Sequence, residues 1–161
     1  MVWTIILILL VALDQASKFL VRDLISPTDA IPVIDGFFYL IYRINKGAAW
    51  SFLANKEWGI YILGFISLVA SIFMLVLIFK SKNARFKTVI SIICAGSIGN
   101  MIDRIAFRGV TDFIDLHFWS YIFPTFNVAD SLVVCGTILM ALFILFDKGF
   151  LSDFTEKEKN T

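Results

Sequence analysis

Two aspartates, Asp112 and Asp130, stand at the edges of long apolar runs. Carboxylates beside hydrocarbon are costly, which makes each a candidate for function. Held close together they do not both ionise comfortably, and they share one proton. The ionised partner can take a proton from water as that water attacks a carbonyl. The protonated partner can donate to the carbonyl oxygen. That is hydrolysis with neither metal nor cofactor. Other hydrolytic signatures are missing from the sequence: no Gly-x-Ser-x-Gly elbow, no His-Glu-x-x-His, and a single histidine, His117. Asp112, Asp115 and His117 offer metal-ligating side chains but no recognised ligand spacing.

Polar residues around this pair recur at helical spacing. Asn100, Asp103 and Arg104 share one helix face, and Gly96 and Gly99 leave room there for a neighbouring helix. The plain alternative is a helix-end ion pair, Asp103 with Arg104, above a packing seam. Asp14 and Lys18 are four residues apart, acid first, which suits a helical ion pair with Lys18 snorkelling to the interface. Asn127 reads as a helix N-cap with Asp130 in the favourable first turn. Asn45 offers both a hydrogen-bond donor and an acceptor, and Gly47 permits close backbone approach.

The elements that must position these residues are membrane spans. Of 161 residues, 59% are hydrophobic and only 17% charged, and the apolar runs are long enough to cross a bilayer. We expect one integral membrane domain over 1–161, mainly α, with spans at about 2–21, 58–79, 88–106 and 127–146. Loops 22–57 and 107–126 lie outside and the tail 147–161 inside. The opening apolar run resembles a secretory signal, but without a positive leader it reads as a retained helix. Phe37–Ile44, aromatic and β-branched, reads as a strand, and 108–124 as a loop with strand-like content. Cys94 and Cys135 read as small buried hydrophobes. Lys80, Lys82, Arg85 and Lys87 crowd one short linker, which marks it as cytoplasmic and places both termini on that side. Asp14, Lys18, Asp103, Arg104 and Asp130 then converge at the outer boundary. The net charge of +1 and the lack of a basic stripe exclude a nucleic-acid partner.

Five ordered motifs run the length of the chain: Asp14-Gln15-x-x-Lys18, Asn45-x-Gly47-Ala48-Ala49-Trp50, Gly96-x-x-Gly99-Asn100-x-Ile102-Asp103-Arg104, Val110-x-Asp112-Phe113 and Phe126-Asn127-x-Ala129-Asp130. In these residues the sequence closely resembles bacterial lipoprotein signal peptidase, signal peptidase II, an intramembrane aspartyl protease family. The resemblance implies four transmembrane helices with a small extracytoplasmic β-rich cradle, in the bacterial cytoplasmic membrane. It implies a diacylglyceryl-modified prolipoprotein substrate, cut before the lipidated cysteine, and inhibition by globomycin-like lipopeptides. It also implies catalysis by Asp112 and Asp130, and a site lined by Asn45, Gly47, Asn100, Arg104 and Asn127. Asp14, Lys18, Asp103 and Ala129 are implied in support. No cofactor or metal is expected, and the partners are the substrate and membrane lipids, with the chain a monomer.

Two readings from other classes compete. Intramembrane Asp and Arg also mark the ion pathways of small transporters, but a pathway needs polar residues through both leaflets. Here the inner half of every span is apolar. A lipid-binding assembly factor would tolerate loss of either aspartate.

Overall fold

The computed structural model describes residues 1–47, 56, 58–147 and 149–151. Expectations for Ala48, Ala49, Trp50 and the Glu156–Lys159 tail lie outside the described residues. Four helices are long and apolar enough to cross a membrane: α1 (Val2–Leu24), α2 (Gly59–Lys80), α3 (Ala84–Phe107) and α4 (Val128–Phe146). Their outward faces carry exposed Ile, Leu and Phe, as lipid-facing helices do. The helix α3 is central and packs against α1, α2 and α4. It can do so because of its glycines: a Cβ on Gly96 would fall 2.3 Å from the Ala129 carbonyl oxygen, and one on Gly99 2.4 Å from an Asp14 carboxylate oxygen.

Helix ends differ from the sequence expectation by about a turn. The first helix continues to Leu24, ahead of Pro27. The third starts at Ala84, because the Asn83 side chain accepts from the Arg85 and Phe86 amides at 3.0 and 3.2 Å. Arg85 and Lys87, expected in a linker, therefore lie in the first helical turns. Asn83 also donates to the carbonyls of Gly149 and Phe150, and Phe150 is fully buried beside Phe86 and Phe143. Arg85 pairs with Asp147 at the same end. Cys94 is buried as expected. Cys135 is not: it lies on an exposed face of α4, because only one stripe of that helix meets α3.

Beyond the opposite ends of the helices lies an antiparallel sheet of β1 (Ala30–Ile34), β2 (Phe38–Asn45), β3 (Val110–Phe118) and β4 (Tyr121–Ile122), in that spatial order. The strand expected at Phe37–Ile44 is β2. The first strand was not anticipated, since Pro32 argues against a strand; it is tolerated because β1 is the edge. A register shift in β2 between Leu40 and Arg43 brings Arg43 opposite Asp112 and Asn45 opposite Val110. Arg108, left-handed at φ 53°, turns the chain directly from α3 into β3. Val21, Ile25 and Phe113 form the apolar cluster that seats β3 on α1.

Candidate active site

Asn127 sits at the centre of the site. Its side-chain oxygen accepts from the Asp130 amide at 2.9 Å while Asp130 accepts from the Asn127 amide at 3.3 Å, a reciprocal cap of α4. Its Nδ2 is free of that task and donates to Asp112 Oδ1 at 2.7 Å. One residue thus ties the loop aspartate to the helix aspartate. Asn45 Nδ2 donates to Asp112 Oδ2 at 3.0 Å, and Asn100 Nδ2 donates to Asp130 Oδ1 at 2.7 Å. Every oxygen of both carboxyl groups therefore meets an N–H donor. Asp112 lies at 3% exposure, and its carboxyl is pushed up to about 7. Burial is the main cause and the neighbouring Asp130 charge the second. Asn45, Asn127 and Lys18 pull it back down. Near neutral pH Asp112 is thus poised between its protonated and ionised forms.

Behind it lies a buried ion cluster. Lys18, fully buried and not snorkelling, meets Asp14 at 2.9 Å, Asp103 at 3.6 Å and Asn100 Oδ1 at 2.9 Å. The alternative exit to the interface is closed off by α3, which Gly99 lets come close to α1 at Asp14. Asp103 does not form the helix-end pair with Arg104 that was its plain alternative. Its oxygens face Lys18, Arg22, Gln15 and the Thr111 amide instead. Asp14 also accepts from the Ala129 amide at 2.8 Å. Gly47 is buried, its amide donating to Asn45 Oδ1 at 2.9 Å. Arg104 Nε is buried and has no hydrogen-bond partner among the described residues.

A family model described as "Signal peptidase (SPase) II" matches residues 6–146. This chain belongs to the signal peptidase II family. It is 37% identical over 136 residues to a lipoprotein signal peptidase of Syntrophotalea carbinolica, covering 83% of this chain and 84% of the relative. Two solved structures of bacterial membrane enzymes resemble it as well. One superposes with a TM-score of 0.81 at 32% identity, covering 91% of this chain and 88% of that one. The other superposes with a TM-score of 0.73 at 32% identity, covering 91% and 94%. The fold of four membrane-spanning-length helices and a small sheet is thus that of a bacterial membrane peptidase.

In this chain, Asp112, Asp130, Asn45, Asn100 and Asn127 form one connected set, with Asp14, Lys18, Asp103 and Ala129 behind it. Asp115 and His117 belong elsewhere. Residues an odd number apart on a strand face opposite sides, so Asp115 points away from Asp112. There it is buried, accepting from Thr125 at 2.9 Å and lying 2.7 Å from His117 Nε2. That strand geometry separates Asp112 from the other two groups that could have joined it around a metal. The sequence reading missed Arg22, which donates to Thr111 at 2.9 Å, and quoted Gln15 in its motif without a role, although it bridges Asp14, Gly99 and Asp103. Arg22 was findable, because Asp14, Lys18 and Arg22 follow one another at i, i+4 and i+8 on a single helix face.

Proposed function

We propose that this chain removes signal peptides from prolipoproteins already carrying a diacylglyceryl group, cutting before the lipidated cysteine with Asp112 and Asp130. The observation that supports this reading most is the Asn127 bridge between two carboxyl groups at the membrane-facing end of the sheet. Asp112 holds the proton at the start and Asp130 is ionised. Asp130 takes a proton from water as the water oxygen bonds to the scissile carbonyl carbon, and Asp112 donates to the carbonyl oxygen. The resulting diol collapses as Asp130 returns a proton to the leaving nitrogen and Asp112 recovers one from a hydroxyl. Both groups end as they began. Arg104, with its open Nε, and Asn45 with Gly47 hold the substrate backbone. Asn100 and Asn127 aim the acids.

The basic run Lys80–Lys87 supports placing the α2–α3 linker and both termini in the cytoplasm. The sheet and the aspartate pair then lie at the outer leaflet, where a lipid-anchored substrate presents its cleavage site. The whole chain acts as one membrane domain and as a monomer. Incubating the purified protein in lipid with a diacylglyceryl-modified prolipoprotein should lower the substrate mass by that of its signal peptide. An unchanged mass, or equal cleavage of the unmodified precursor, refutes the reading.

A further inference from the structure

The fully buried Lys18 is four residues from Asp14 and far in sequence from Asp112 and Asp130, yet its contacts lead to both of them. A lysine ammonium has three donors and no acceptor. By facing Asn100 at 2.9 Å it requires the oxygen of that amide to point toward it, which leaves the amide nitrogen to donate to Asp130 at 2.7 Å. The two carboxylates that hold Lys18 reach the same pair through the backbone. Asp14 accepts from the amide of Ala129, the residue before Asp130, at 2.8 Å. Asp103 accepts from the amide of Thr111, the residue before Asp112, at 2.8 Å. Three elements that carry the two aspartates or their donors, α3, β3 and α4, are thus referred to one charged hub supplied by α1.

We propose that Lys18, clamped between Asp14 and Asp103, is a positioning residue that fixes the Asn100 amide and sets the protonation of the aspartate pair. The inference rests on the assignment of Asp112 and Asp130 made above. The charge of Lys18 already acts on Asp112, lowering its carboxyl against burial and Asp130. Among the described residues, Arg104 of α3 also acts on the pair, Asp14, Asp103 and Arg22 face Lys18 and one another behind it, and Arg43 of β2 is in register with Asp112. None comes from α2, whose only charged residue is Lys80 at its far end.

The test compares the wild type with Lys18→Met and with Asp14→Asn/Lys18→Met, all purified in lipid. The double variant keeps an acceptor for the Ala129 amide and keeps the charge balance. Small displacements of reacting groups cost up to about 10²-fold in rate, so kcat should fall at least about tenfold with KM little changed. Loss of a nearby cation raises carboxylate pKa values, so in Lys18→Met both limbs of the kcat–pH bell should move up by about 0.5 unit or more, and by less in the charge-balanced double variant. A folded variant with kcat within threefold of wild type overturns the proposal. So does a lowered kcat on an unmoved bell in Lys18→Met, and so does failure of both variants to fold, which would make the hub a folding device only. Asp130→Asn, measured alongside, tests the underlying assignment separately: if it still cleaves, the dyad fails whatever Lys18 does.

Discussion

Replacing Asp112 by asparagine should kill the enzyme and at the same time flatten the pH dependence of its stability. The carboxyl is buried at 3% exposure and is pushed from the usual 3.8 up to about 7 by burial and by Asp130. Between those values the native protein keeps a proton that the unfolded chain has released. Stability is thus greatest below about pH 4 and falls as the pH rises through 7. About three units at roughly 1.4 kcal/mol each amount to about 4 kcal/mol, an upper figure because Asp130 titrates with it. Asp112→Asn has no such proton. Its stability relative to wild type should therefore rise between pH 4 and pH 8 by up to about 4 kcal/mol, while cleavage drops by about 10²–10⁴-fold. The double variant with Asp130→Asn should cleave little worse than either single one, because the two carboxyls act as a unit. Unfolding of detergent- or lipid-embedded protein across that pH range, read beside turnover, decides it. Equal pH slopes for wild type and Asp112→Asn, or substantial turnover by the variant, would refute the reasoning.

Arg104→Lys should still insert in the membrane but lose most activity, since an ammonium cannot reproduce the planar fork; full turnover would remove Arg104 from substrate binding. Asp115→Asn should leave kcat within a few-fold but lower thermal stability by about 1–3 kcal/mol, as buried Asp115 holds Thr125 and His117; a large kcat loss with unchanged melting would contradict this. In a background without Cys94 and Cys135, a cysteine replacing Trp119, which is 99% exposed at the β3–β4 turn, should label from outside intact cells, and one replacing the exposed Lys82 should not. The opposite labelling would invert the topology.

Most of the architecture was legible because a bilayer demands long apolar helices, and little else in a sequence looks like one. The Asn127 cap was legible for a similar reason: Asn at the first turn has a local job that residue types reveal. The sheet was only half visible. Ala30–Ile34 lay unmarked within the outer loop 22–57, and only its place at the sheet edge makes Pro32 harmless there. Snorkelling was an open alternative for Lys18 on the physics of an isolated helix, where a lysine near the end reaches for water. Whether it can is decided by the neighbour that Gly99 admits, and that is a property of two helices together. The plain alternative for Asp103, a pair with its neighbour Arg104, looked natural for the same reason, whereas its partners come from another helix and from the β3 backbone.

Asn127 has a consequence for the birth of the protein. The same side chain closes the first turn of α4 and supplies the donor that couples Asp112 to Asp130. A newly inserted chain whose fourth helix has not yet wound its first turn has no proton-sharing pair, whatever the state of the other three helices. On the proposed assignment of Asp112 and Asp130, half-assembled molecules are silent toward the membrane proteins around them, and proteolytic power arrives only with the last helix.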